Sequence, residues 1–161
     1  MQWSGNGYVV TDDAALLDRE AVYAFLRESY WAKGLAREVF ERSVDNSLCF
    51  GLFQAGERAA EGLGAQAGFC RVVTDSATFA YLADVFVLPP HRGKGLGKWM
   101  IGCVREHPRL QGLRRWLLAT ADAHGLYGRH GFAPLAQPSA FMEILTPYVA
   151  APPQGEAEAA P

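Results

Sequence analysis

Between residues 48 and 88 the chain gathers apolar, aromatic and β-branched residues into three runs, 48–53, 67–73 and 78–88. They are parted by the glycine-bearing stretch QAGERAAEGLGAQ and by Thr74-Asp75-Ser76. Runs of this composition bounded by turn residues predict strands, and three in succession predict an antiparallel meander. The third run is too apolar to stand at an edge and is placed inside the sheet. On both sides the period changes. Residues 8–10 (YVV) predict a short strand, Thr11-Asp12-Asp13 marks a helix start, and Leu16, Leu17, Val22, Tyr23, Phe25 and Leu26 then recur at mostly helical spacing. Residues 36–44 predict a second helix with Val39, Phe40 and Val44 turned inward, broken by Asp45-Asn46-Ser47. Downstream, Leu96, Trp99, Met100, Cys103 and Val104 recur at three and four until His107-Pro108 ends the helix. Residues 116–119 predict a buried strand, 122–130 a short helix and 141–145 a last strand. This order predicts an α+β fold with one mixed sheet flanked by helices.

Composition narrows the class of molecule. A chain of 161 residues, half of them hydrophobic, has the size of one domain with a core it can bury. The formal charge of -2 belongs to the tail: Glu156 and Glu158 lie in the last stretch, AAPPQGEAEAAP, which holds no cation. The domain, residues 1–149, is therefore close to neutral, which argues against a nucleic-acid partner. Residues 150–161 are rich in Pro, Ala and Glu and predict a flexible tail. Cys49, Cys70 and Cys103 sit in apolar runs without ligand spacing, so they read as buried thiols of a reducing compartment. No apolar run is long enough to cross a bilayer and the start of the chain lacks the pattern of a signal peptide, so no membrane partner and a cytoplasmic location are expected. His91, His107, His124 and His130 show no metal spacing, and no metal is expected.

Against this background His91-Arg92-Gly93-Lys94-Gly95-Leu96-Gly97 stands out, with three glycines and three potentially cationic side chains in seven residues. It lies between the third strand of the meander and a helix start. A helix N-terminus offers amides without intrahelical partners and a partial positive charge, and glycines let an anion approach the backbone itself. A pyrophosphate is the expected guest, accepting from the amides of Gly93, Lys94, Gly95, Leu96, Gly97 and Lys98, with charge from Arg92 and Lys94. The stretch is neither a Walker A loop, which needs Ser or Thr where Trp99 stands, nor a Rossmann GxGxxG, whose third glycine would fall on Lys98 or Met100.

Arg92-Gly93-Lys94-Gly95-Leu96-Gly97 matches the Arg/Gln-x-x-Gly-x-Gly/Ala signature of the GNAT superfamily of N-acetyltransferases. Leu126-Tyr127-Gly128-Arg129-His130-Gly131-Phe132 matches that superfamily's LYxxxGF segment, in the right order. The chain thus resembles a GNAT acetyltransferase over nearly residues 5–146. The resemblance implies a sheet whose fourth and fifth strands splay apart, with acetyl-CoA in the gap as co-substrate. Its pantetheine arm would run along the backbone of Val85, Phe86 and Val87, and its pyrophosphate would sit on residues 93–98. Many members place Asn seven residues before the LYxxxGF tyrosine. Thr120 stands there in this chain and, with Asp122 close by, is the cofactor-binding residue the resemblance offers in place of that Asn.

The implied chemistry is transfer of an acetyl group to a primary amine of a small molecule or a protein; a non-catalytic acyl-CoA-binding or sensing module on the same fold is the alternative. By family likeness Tyr127 lies near the sulfur and would protonate the leaving thiolate, though it would also serve as packing for the short helix. Asp84 stands in the otherwise apolar ALADVFVL run, where a carboxylate is costly to bury alone, and is the candidate base. Pairing with an arginine or with backbone amides is the other role open to it, and Glu28, His124 or a relayed water are alternative bases. Tyr30 and Trp31 form an aromatic cluster between the first two helices, where the superfamily builds its acceptor pocket, or else part of the core, and Glu28 and His124 are expected in the same pocket. The acceptor, the general base, the breadth of acyl groups and the choice between monomer and homodimer stay open at this level.

Overall fold

Asn6 and Gly7 both take positive φ, 54° and 76°, which is the backbone of a two-residue hairpin turn. They join two strands, β1 (Gln2–Gly5) and β2 (Tyr8–Thr11), paired from Gln2↔Thr11 to Gly5↔Tyr8. The first was not expected from its composition, yet the Asn-Gly dipeptide that turns it was in plain view. The computed structural model describes residues 1–56 and 62–148; the expected tail and its boundary at residue 149 lie outside the described residues.

The remaining elements run α1 (Arg19–Glu28), α2 (Arg37–Asp45), β3 (Leu48–Ala55), β4 (Leu63–Thr74), β5 (Phe79–Val87), α3 (Leu96–Glu106), β6 (Arg115–Leu117) and α4 (His124–Gly128). The six strands form a single sheet in sequence order, antiparallel except for the parallel pair β5–β6. The meander 48–88 is therefore present and its third strand interior. The stretch QAGERAAEGLGAQ is shorter as a connection than its composition predicts, because Ala55 still pairs with Leu63.

Local chemistry moves several boundaries. Asp13 caps a 3-10 turn, Ala14–Leu16, by accepting from the Ala15 amide; Asp18 then caps α1 by accepting from the Ala21 amide. The first helix accordingly begins later than Thr11-Asp12-Asp13 suggests. Residues 141–145 form no strand, a second correction. β6 pairs with β5 over three residues only, and the side chains of Met142 and Ile144 are 99% exposed.

The sheet carries a core on each face. Val22 and Leu26 of α1 and Phe40 and Val44 of α2 pack with Cys49, Phe69 and Phe86. On the opposite face Met100, Ile101 and Val104 of α3 pack with Phe50, Cys70, Val72 and Leu82. All three cysteines are free and buried, as their apolar neighbours predict. Burial pushes the thiol of Cys49 up to about 12, that of Cys103 up to about 11, and that of Cys70 well above its ordinary range. His107 is buried beside Pro108, with Nε2 2.9 Å from Asp12 Oδ2. Among the described residues no helix is long and apolar enough to cross a membrane, and no group of three His, Cys, Asp or Glu could hold a metal.

Candidate active site

β5 is the strand at which the sheet stops being complete. On one side it stays paired with β4 up to Gly68↔Val87; on the other it meets β6 only at Phe79↔Arg115, Ala80↔Trp116 and Tyr81↔Leu117. From Leu82 onward that edge is open. At the same level β5 carries a bulge, since Phe86 faces Phe69 and Ala83 faces Arg71, leaving Asp84 and Val85 opposite Cys70. Asp84 makes the bulge by adopting φ of 54°, a left-handed conformation that Asp tolerates better than most side chains. A cleft of about 630 Å³ opens along this edge, lined by Leu82, Asp84 and Val85 on one wall and by Thr120, Asp122 and Tyr127 on the other.

The glycine stretch lies at the far end of β5. Leu88 leads into a 3-10 turn, Pro89–His91, and Gly93 and Gly95 then take φ of 78° and 74° before α3 begins. Those two angles, rather than crowding, demand glycine: a Cβ built at either position meets nothing within 4 Å. Among the described residues none of the amides from 93 to 98 donates to a protein acceptor; the first amide of the helix that does so is that of Trp99, to Gly95 O at 3.0 Å. The cationic side chains of the stretch are turned back onto the scaffold. Arg92 Nε donates to Val87 O at 2.8 Å, and Lys94 Nζ donates to the Tyr8 hydroxyl at 3.0 Å. That hydroxyl also lies 3.0 Å from His91 Nδ1, so one tyrosine of β2 fastens the loop at two points.

Tyr127 stands where two cavities meet. It is 9% exposed and lines both the cleft and a second cavity of about 600 Å³ beside β6. Among the described residues its hydroxyl has no hydrogen-bond partner, and burial pushes its pKa up to about 12, so the proton stays on the oxygen throughout the neutral range.

A family model described as the acetyltransferase (GNAT) domain matches residues 45–134, which contain the bulge, the glycine loop and Tyr127. The chain belongs to the GNAT acetyltransferase family. A Gibberella zeae protein named as an acetyltransferase is 36% identical over 143 residues, 80% of each chain. The crystal structure of a GNAT-family protein from Xanthomonas campestris pv. campestris, also named as an acetyltransferase, is 44% identical, with a TM-score of 0.82 over 92% of this chain and all of the other. The N-acetylglutamate synthase of Neisseria gonorrhoeae, complexed with coenzyme A and N-acetyl-glutamate, is 15% identical with a TM-score of 0.57 over 79% of this chain and 28% of its own, a likeness of fold.

Within this GNAT fold the expected site residues divide into those that meet and those that do not. Val85, Asp84, Thr120, Tyr30, Trp31 and Tyr127 share the cleft, and Phe86 and Val87 carry its strand toward the loop. Asp84 is an ion-paired carboxylate: Arg71 Nε lies 2.8 Å from Oδ2, and Arg71 Nη1 donates to Ser47 Oγ at 3.2 Å. Oδ1 has no protein partner among the described residues. Thr120 spends a lone pair of its hydroxyl on the Ala123 amide at 3.0 Å, which shapes the turn into α4. Tyr30 reaches across the mouth and accepts from the Ala121 amide at 3.3 Å. His124 faces the second cavity instead, and Glu28 is exposed beside Arg27, outside the cleft. Two residues were not anticipated. Tyr8 gave no signal, since a tyrosine in a short apolar run reads as core. Arg71 did, as a lone cation in the run AGFCRVV that mirrors the lone Asp84 on the neighbouring strand.

Proposed function

We propose that the protein is an acetyl-CoA-dependent N-acetyltransferase acting on a primary amine. One observation carries this reading: the free amides of residues 93–98 follow the end of the same strand whose open edge lines the cleft, so a single strand leads from a helix start suited to an anion to the cleft that holds the Tyr127 hydroxyl. The loop fits a phosphate group, because Gly93, Gly95 and Gly97 place no Cβ at every second residue of the helix start, and an anion can approach the backbone there. Acetyl-CoA, which the GNAT family uses, supplies an activated thioester. The chain supplies the rest. Amides 93–98 hold the diphosphate with Arg92 and Lys94 nearby, the open edge at Val85, Phe86 and Val87 pairs with the amide-bearing arm, and the Thr120 hydroxyl keeps a hydrogen to donate.

Tyr127 donates its hydrogen bond where negative charge gathers on the departing sulfur. A phenol near 12 is a weaker acid than an ordinary thiol, at about 8.5, so its contribution is stabilisation of developing charge more than complete proton transfer. Asp84 offers Oδ1 to the ammonium that must lose a proton before it attacks. The alternative of an acyl-CoA-binding module draws on one observation, the engagement of Asp84 by Arg71. An amine panel read by release of free CoA thiol, with thermal shift by acetyl-CoA measured alongside, separates the two. Turnover with any amine supports the enzyme; a shift of the melting temperature without turnover supports the binding module.

A further inference from the structure

The charges that line the cleft are unequal. Asp84, Asp122 and Glu143 face it, while Arg71 is the one cation among the described lining residues, and Arg71 is committed to Asp84. Asp122 and Glu143, both exposed, have no ion-pair partner among the described residues. An acceptor bearing a carboxylate would meet two like charges with no free cation to receive it. An acceptor bearing a second ammonium would meet two unpaired opposite ones. The mouth adds a second, independent preference. Tyr30 and Trp31 are 61% and 39% exposed, sit edge to face with ring centroids 5.0 Å apart, and are steadied by the Tyr30 hydroxyl on Ala121. Exposed aromatic faces beside carboxylates are the recognition chemistry of an organic cation. The volume of the cleft is that of a small-ligand pocket.

We propose that the acceptor is a small aliphatic amine carrying a second positive charge and no carboxylate, the chemical class of diamines and polyamines. This rests on the acetyl-transfer reading of the same cleft. The reacting nitrogen lies toward Asp84 and Tyr127, and the distal ammonium lies toward Asp122, Glu143 and the aromatic pair. In balanced form, the amine nitrogen forms the C–N bond to the acetyl carbon, the C–S bond breaks, the amine gives up one proton, and the thiolate takes one up on release.

The test uses the full chain, acetyl-CoA and three acceptors of one chain length: 1,4-diaminobutane, n-butylamine and ornithine. We expect kcat/KM to fall in that order. We also expect the advantage of the diamine over the monoamine to shrink in Asp122→Asn and in Glu143→Gln by about 3- to 5-fold each, the worth of an exposed ion pair. Raised ionic strength should erode the same ratio. Turnover of n-butylamine by the variants reports that they are folded. The inference is overturned if ornithine matches or exceeds the diamine, or if the substitutions leave the diamine-to-monoamine ratio where it was. Absence of thiol release with every amine, while acetyl-CoA still raises the melting temperature, removes the transfer reading itself and this inference with it.

Discussion

The two ends of the candidate site are built from different materials. At the end of β5 the loop 92–98 presents backbone: its amides are free, its glycines hold the angles, and its cationic side chains are tied to Val87 and Tyr8. At the cleft, the acceptor end in the proposed reading, the groups presented are side chains, namely Asp84, Tyr127, Tyr30 and Trp31, carried on a strand bulge, a short helix and an interhelical turn. Backbone chemistry is indifferent to most substitutions that keep the angles, so this end suits a ligand part common to a whole family. Side-chain chemistry changes with each residue, so the other end suits discrimination between acceptors.

The contrast breaks most completely at Gly97. Its φ lies outside the left-handed region, and a Cβ there would make only ordinary contacts, 3.8 Å from Val87 Cγ2 and 4.0 Å from Leu126 Cδ2. Gly97→Glu should therefore fold normally, helped by an acid in the first turn of α3. Its carboxylate would compete for the amides, and acetyl-CoA binding measured by calorimetry should be lost. Retained affinity would show that the anion lies elsewhere.

Tyr127→Phe tests the acceptor end and should lower kcat by about 10²- to 10³-fold with acetyl-CoA affinity nearly unchanged. The pH profile carries a further sign. Because burial raises the Tyr127 pKa to about 12, the neutral donor persists as the pH climbs through the range where acceptor amines lose their protons. The rate should rise with pH and show no fall from Tyr127 ionisation below about 10. Unaltered turnover in the variant, with chemistry rate-limiting, would leave Tyr127 as packing.

Asp84→Asn should reduce the rate by about 10²-fold at low pH, with partial recovery where the acceptor is already neutral. Asn accepts the left-handed angle, so the bulge itself should survive. A loss uniform across pH would assign Asp84 to positioning with Arg71.

The smallest effect is expected at Tyr8. Tyr8→Phe removes the hydroxyl that holds Lys94 and His91 and should raise the KM for acetyl-CoA by about 5-fold at unchanged kcat, the worth of roughly 1 kcal/mol of loop order. An acetylated pantetheine lacking the diphosphate should not feel the change, and an equal loss with both donors would mark Tyr8 as general scaffolding.

What could be read from residues alone follows the same division. The glycine loop, the meander and α3 were legible because local pattern determines them: Gly93 and Gly95 are demanded by backbone angles, and the apolar periods by the two faces of one sheet. The pairing of Arg71 with Asp84 and the fastening of Lys94 by Tyr8 join residues far apart in sequence, and no local rule chooses such partners. Residues 141–145 had the composition of a strand, yet a strand also needs a free edge of matching length. β6 stops at Leu117.

On the acetyl-transfer reading proposed above, a thioester donor brings a hazard of its own, because any cysteine thiolate within reach would exchange with it and acylate the protein instead of the acceptor. Cys70 sits directly across from the Asp84–Val85 bulge, one strand away from the cleft, yet it is fully buried and held as the neutral thiol. With Cys49 near 12 and Cys103 near 11, on the order of one molecule in 10⁴ or fewer carries either thiolate at neutral pH. On that reading, the packing that makes these sulfurs part of the core would also keep the molecule from being its own substrate, by holding its thiols in the less nucleophilic protonated form.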